Sequence, residues 1–178
     1  MDKKHYAVIE KYALPFVQLV FEKGQQQDVF DKLSQIKAVF AETNLADFLS
    51  HIGVDDGEKE KALRLFQNSD SQLIDNFIEV VILNHRADLF YDMLVEIQHQ
   101  IEKQSNEFEV TVKSVQALTE SQKDRLKPIL EQKMGLKVRS FKQELDASLI
   151  GGFVISANNK TIDASIKRQL QLVKENLK

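Results

Sequence analysis

Near residue 106 the recurrence of apolar residues shortens from the three-to-four spacing of a helix to the alternation of a strand. One amphipathic element cannot satisfy both periods, so the chain is expected to divide there into a helical part and a part that contains a sheet. Upstream, Gln26 to Ala41 is the cleanest case. Val29, Leu33, Ile36 and Phe40 recur at four, three and four on one stripe, and Asp28, Asp31, Lys32 and Lys37 take the wet side. His5 to Glu22 carries Tyr6, Ile9, Ala13, Phe16, Val17 and Val20 at similar spacing and stops at Lys23-Gly24, a cation and a glycine that both suit a helix C-terminus. Pro15 lies inside that pattern and should bend the helix or remove one backbone bond.

Shorter helices are expected from Asn44 to about His51, with Asn44 as cap, and from Asp56 to Asn68, with Ala62, Leu63, Leu65 and Phe66 inward. Ser71 to Asn84, "SQLIDNFIEVVILN", leaves almost no polar face. Such a helix is either central, or central on one side and covered by a partner on the other. Ala87 to Ser105 places Phe90, Leu94, Ile97 and Ile101 at four, three and four. Six helices joined by short polar turns read as a bundle.

Beyond the change of period, "FEVTVKSV" alternates Phe108, Val110 and Val112 with polar residues. Thr119 to Gln122 matches a capping box, so a helix should follow to about Met134 and stop at Gly135, with Pro128 kinking it. "LKVRSF" alternates again, "SLIGGFVIS" reads as a buried strand, "ANNKT" as a turn, and Asp163 to Leu177 as a helix with Ile166, Leu170, Val173 and Leu177 on one stripe. The expected fold is therefore mostly α: an N-terminal six-helix bundle over residues 1–105, followed by a small α+β C-terminal domain over 106–178. Charge follows the same division. Residues 1–105 hold 11 Lys+Arg against 18 Asp+Glu, a net −7, whereas 106–178 hold 13 against 9, a net +4. Opposite signs fit two surfaces that meet different partners, although drift in composition gives the same numbers.

Candidate chemistry is sparse. The chain has 43% hydrophobic and 29% charged residues, the mixture of a soluble globular protein, and no cysteine, which excludes disulfides, thiolate metal sites and cysteine nucleophiles. "MDKKHYAVIEKYALPF" resembles neither a secretory signal nor a transit peptide, and the longest apolar runs fall short of the ~20 residues of a spanning helix. A bacterial cytosolic location, without direct membrane insertion, is expected. His5, His51, His85 and His99 show no metal-ligand spacing. Gly151-Gly152 lacks the spacing of a nucleotide loop and is read as a bulge or a close approach that a Cβ would block. No cofactor is expected. The cations of the second half are interleaved with acids and lack an aromatic platform, so nucleic acid is not an expected partner. What remains is a protein that binds proteins: the apolar Ser71–Asn84 helix, with Tyr12, Leu14, Leu19 and Phe21 lying off the main stripe of the first helix, offers a groove for an amphipathic partner helix. The same residues could equally be internal core.

The segment "LDASLIGGFVISANNKTIDASIKRQLQLVKENL" closely resembles the C-terminal signature of the delta subunit of bacterial F-type ATP synthase, the family of the oligomycin-sensitivity-conferring protein. Leu149, Ile150, Gly151, Gly152, Asp163 and Ser165 carry that signature as structural positions. "KYALPFVQLVFEKG" resembles the family's first helix, and "NFIEVVILNHRADLF" its fifth helix and the turn after it. Two departures stand out: Ala164, where glycine is usual, which would have to avoid positive φ, and Ala147, where proline is frequent.

The resemblance implies a stator without catalytic residues, peripheral on the cytoplasmic face of the bacterial membrane. It implies that the helical bundle holds the amphipathic N-terminal helix of an alpha subunit of the catalytic head between its first and fifth helices. Tyr12, Phe16, Leu19, Ile74, Phe77, Ile78 and Val81 would line or support that groove. The C-terminal domain would engage the b subunits of the peripheral stalk, one copy per complex, with a monomer expected when the chain is isolated. A helical RNA-binding or other protein-interaction module is the alternative, and a small enzyme a further rival with no motif behind it.

Overall fold

The computed structural model describes residues 3–176. The chain is mostly helical with one four-stranded sheet, and it divides into two compact units, one ending at Ile101 and one beginning at Glu102. The first unit contains α1 (Lys3–Glu22), α2 (Gln26–Glu42), α3 (Leu45–Ser50), α4 (Asp56–Arg64), α5 (Gln72–Leu83), a 3-10 turn (Ala87–Leu89) and most of α6 (Phe90–Ser105).

Its core forms where the expected stripes face one another. Ile9, Ala13, Val17 and Val20 of α1, Val29 and Leu33 of α2, Ile74, Ile78 and Val81 of α5, and Leu94, Ile97 and Ile101 of α6 are all at or below 1% exposure. The helix ends follow local chemistry. After α1, Gly24 takes φ 66 and the Gln25 N–H donates to the Val20 carbonyl at 3.1 Å, an ending that positive φ makes possible. Asp55 caps α4 by accepting from the Gly57 N–H at 2.9 Å. α1 runs through Pro15 unbroken.

Two expectations are corrected in this unit. The fourth helix stops at Arg64, not near Asn68, so Leu65 sits in the following turn and is 84% exposed instead of facing inward. Asn44 precedes α3 but its side chain makes no capping bond, because its backbone (φ −85, ψ 30) lacks the extended form that aims a cap at the helix amides.

Before α5, the Ser69 N–H and hydroxyl donate to Asp75 Oδ1 at 3.1 and 2.9 Å. Burial alone would raise this carboxyl, but the hydrogen bonds from Ser69 and the Asn68 backbone, with the Lys32 charge, together outweigh it and hold the group below the usual carboxylate range. A depressed pKa stabilises the fold above the unfolded value, ~3.9, and that contribution is lost as pH falls through the folded value. The loss of stability in Asp75→Asn, measured by thermal unfolding, should accordingly be largest near neutrality and shrink in acid. A loss independent of pH would contradict this account.

The second unit contains the last turn of α6, β1 (Glu107–Ser114), α7 (Glu120–Met134), β2 (Lys137–Leu145), a 3-10 turn (Ala147–Leu149), β3 (Phe153–Ala157), β4 (Lys160–Asp163) and α8 (Ile166–Asn176). Strand order is β2-β1-β3-β4. β2 runs parallel to β1 after the α7 crossover, and β1–β3 and β3–β4 are antiparallel. Alternation on β1 buries Phe108, Val110 and Val112 against Leu130 and Met134 of α7 and Ile155 of β3. The capping box at Thr119 and Gln122 is formed, and Gly135 closes α7 at φ 67. Asn158 and Asn159, at φ 46 and 57, make the two-residue β3–β4 turn that the right-handed twist of a hairpin favours.

Here "SLIGGFVIS" is not one strand. Ala147–Leu149 is a 3-10 turn, Ile150 and Gly152 take φ 65 and 74, and the strand begins only at Phe153. The segment Lys160–Asp163, expected as turn and helix start, is a strand, and α8 begins after it. Leu177, the last member of the expected α8 stripe, lies outside the described residues.

Candidate functional site: an apolar groove between α1 and α5

Tyr12, Phe16 and Leu19 follow one another at four and three along α1, and Leu73, Phe77 and Val80 do the same along α5. These two stripes face each other across a groove of about 360 Å³, with Lys11, Pro15 and Asn76 at its margins. Its floor is aromatic: the Phe16 and Phe77 rings lie 4.6 Å apart between centroids, tilted by 40°, and are only 7% and 6% exposed. Leu19 and Val80, at 38% and 46%, form walls open to solvent. From Tyr12 to Leu19 the axis advances about 10 Å, so the groove matches roughly two turns of an occupant helix. Pro15 has no N–H to give the Lys11 carbonyl, so the backbone beside the groove lacks one helical bond.

Of the seven residues singled out from the sequence, Tyr12, Phe16, Leu19 and Phe77 line this groove. Ile74, Ile78 and Val81 do not: each is 0% exposed and packs into the core on the other side of α5, supporting the groove from behind. Leu73, Asn76 and Val80 line it too and are not among the seven. Their signal is present in the sequence, because Leu73, Phe77 and Val80 repeat the same four-three spacing as Ile74, Ile78 and Val81, one residue out of phase.

The signature positions form a structural knot in the second unit. Asp163 accepts from the Ser165 N–H at 2.9 Å, and the Ser165 hydroxyl, on a residue 2% exposed, accepts from the Arg168 N–H at 3.2 Å to start α8. Asp146 repeats the first of these bonds with the Ser148 N–H, also at 2.9 Å, so the two "DAS" sequences encode the same turn. Hydrogen bonds from Ser165 and from Ser148 hold the Asp163 and Asp146 carboxyls below the usual carboxylate range, with Lys167 assisting at both. Leu149 is buried while Ile150 is 68% exposed. The Ala164 N–H donates to the Phe153 carbonyl at 2.9 Å and the Ile166 N–H to the Gly151 carbonyl at 3.0 Å, lacing the glycine pair to this turn. A Cβ on Gly152 would collide with the Ala164 carbonyl oxygen, and one on Gly151 would come within 2.6 Å of Ile166 Cδ1. Close approach, one of the two uses expected of the pair, is what these glycines allow, of backbone at Gly152 and of the Ile166 side chain at Gly151. Ala164 is not among the positive-φ residues, as its side chain requires.

A second apolar surface lies on α8. Ile166, Leu170 and Val173 are 42%, 58% and 56% exposed on one stripe, and no described residue of this helix is buried. Among the described residues no helix is long and apolar enough to cross a membrane.

The family model for the ATP synthase delta (OSCP) subunit matches residues 8–177. Among similar proteins, ATP synthase subunit delta of Streptococcus sanguinis (strain SK36) is 79% identical over 178 residues, the full length of both chains. The proteins of the same name from Streptococcus gordonii and Streptococcus pneumoniae are 64% and 57% identical, again over the whole of both chains. In a cryo-EM structure of the Toxoplasma gondii mitochondrial ATP synthase hexamer, one chain superposes with a TM-score of 0.67 over 95% of this chain and 96% of that one. At 13% identity that likeness speaks to the fold.

Proposed function

The chain belongs to the ATP synthase delta (OSCP) subunit family, a structural, non-catalytic component of the peripheral stalk, and from that premise we propose how its two units divide the work. The first unit, read as a six-helix bundle, holds the amphipathic N-terminal helix of an alpha subunit of the catalytic head in the α1/α5 groove. The second unit engages the C-terminal ends of the b subunits. The chain acts at the cytoplasmic face of the membrane as one copy per complex, and is monomeric when isolated. It keeps the head from turning with the rotor, so that rotation alters the catalytic sites instead of spinning the head.

The observation that carries the head contact is the groove itself: an aromatic floor with solvent-open apolar walls is the surface that an amphipathic helix covers. Its residues lie on two rigid helices whose other faces are locked in the core, so little order has to be gained on binding. For the stalk contact, the exposed α8 stripe is flanked by Lys167, Arg168 and Lys174, and its apolar residues have no cover within the described chain. Two contacts in series hold a joint under load because each keeps the other's partner close enough to rebind.

The division of labour is tested by Leu170→Glu in the full chain. Leu170 is exposed, so the fold should be unaffected, while capture of a C-terminal fragment of b should fall by at least about tenfold and binding of an alpha N-terminal peptide should stay unchanged. Loss of the alpha peptide instead, or undiminished capture of b, would reject the assignment.

A further inference from the structure

Pro15, at the margin of the α1/α5 groove, carries no N–H, so the Lys11 carbonyl four residues earlier is deprived of its usual helical donor. Lys11 and Pro15 both line the groove, and a helical carbonyl lies between its own residue and the one four further on, which puts this oxygen on the groove side of α1. The proline weakens its helix. It removes one bond and its ring presses on that same carbonyl, and an alanine would do neither. Even so, α1 continues to Glu22, because Ile9, Ala13, Phe16, Val17 and Val20, on both sides of the break in bonding, are buried in the core.

In the free protein the orphaned oxygen can be hydrated, since Lys11 and Pro15 are both exposed. An occupant of the groove takes that water away. A carbonyl stripped of water and given no new donor costs affinity, so a helix with an uninterrupted apolar face is disfavoured here relative to one that brings a donor to this point. The other polar groups at the margin do not choose in this way. Asn76 presents a carboxamide, which turns to suit a donor or an acceptor, and the Lys11 ammonium rides on a flexible stem that can swing into water. The backbone oxygen of a helix locked into the core is a fixed acceptor.

We infer that the Lys11 carbonyl, freed by Pro15, sets the register of the helix held in the groove by accepting a hydrogen bond from an uncharged donor side chain of that helix, a serine, threonine, asparagine or glutamine. A side chain is needed because the occupant's own N–H groups run along its axis and are engaged within it. A cationic donor would meet the Lys11 ammonium beside the same oxygen. This role rests on the reading of the groove as the seat of the alpha-subunit helix, and it adds which kind of residue on that helix comes to rest beside Pro15.

The test is isothermal titration of the alpha-subunit N-terminal peptide into the full chain and into Pro15→Ala, whose new N–H gives the Lys11 carbonyl a partner within α1. Pro15→Ala should unfold at a temperature several degrees higher and yet bind the peptide about fivefold more weakly, the factor to which one hydrogen bond of ordinary strength corresponds. A purely structural proline predicts equal or tighter binding by the more stable protein. Peptides in which each Ser, Thr, Asn and Gln is replaced in turn by Ala locate the donor: one replacement should weaken binding to the unsubstituted chain about fivefold and leave binding to Pro15→Ala unchanged. A Pro15→Ala chain no more stable than the original, peptide affinity unaltered by that substitution, or the lack of any replacement whose effect depends on residue 15 would overturn the inference and leave the groove assignment standing. Failure of the unsubstituted chain to bind the peptide would sink both.

Discussion

Val80→Glu is expected to weaken binding of an alpha-subunit N-terminal peptide by at least about 30-fold, the factor that corresponds to roughly 2 kcal/mol, while leaving the unfolding temperature nearly unchanged. Val80 is 46% exposed on the free protein, so a carboxylate there remains hydrated and the core is undisturbed. Once an apolar helix face covers the groove, that same carboxylate must be stripped of water beside Phe16 and Phe77. A conservative variant, Val80→Ala, should cost far less, since it only trims the wall. Isothermal titration of the peptide into each variant measures the difference. Ile78→Glu would be a poor version of this experiment: Ile78 is 0% exposed, so the charge would enter the core and unfold the protein, and lost binding would say nothing about the groove.

Gly152→Ala should destabilise the second unit by about 3 kcal/mol or more, the largest effect expected of any single methyl group added to this chain. Two penalties combine. Gly152 has φ 74, where an L side chain is strained, and the new Cβ collides with the Ala164 carbonyl, which is backbone and cannot rotate away. Gly135→Ala isolates the first penalty. Gly135 has φ 67 but nothing within 4 Å of its would-be Cβ, so its replacement should cost only about 1–2 kcal/mol. Hydrogen exchange of β1 and β3 amides, which report opening of the second unit, compares the two variants directly. Equal losses would mean that the close passage of the Gly151-Gly152 loop beside Ala164 does not matter to stability.

These two sites also mark what is legible in the sequence. In α2 and β1 the spacing is sufficient: α2 buries Val29, Leu33, Ile36 and Phe40, and β1 buries Phe108, Val110 and Val112, as their periods require, whereas the equally regular stripe of α8 stays exposed. α5 defeats the same reasoning because it carries two apolar stripes one residue apart. Ile74, Ile78 and Val81 face the core and Leu73, Phe77 and Val80 the groove, and spacing cannot distinguish them. Only contacts from distant helices decide the rotation of α5 about its axis.

The glycine pair shows a different limit. Its apolar neighbours make "SLIGGFVIS" look like a continuous strand, but Gly152 packs against Ala164, twelve residues on in the sequence and brought near by the β3–β4 hairpin. That hairpin is itself concealed, since Lys160–Asp163 is too short for alternation to stand out, and its strand character comes from pairing with Val154–Ala157. The "DAS" repeat, by contrast, is readable as a repeat but not as a pair of turns, because the hydrogen bond from the N–H two residues on is a matter of backbone conformation.

The claim at the centre of this account is that two separate surfaces, the α1/α5 groove and the α8 face, grip different neighbours and pass force between them. Hydrogen–deuterium exchange of the full chain, alone, with the alpha N-terminal peptide, and with the C-terminal fragment of b, tests it in one experiment. The account predicts that the alpha peptide slows exchange in residues 11–20 and 72–81 and leaves 166–176 unchanged, and that the b fragment does the opposite. Protection of the same segment by both ligands, or of neither segment by either, would contradict it.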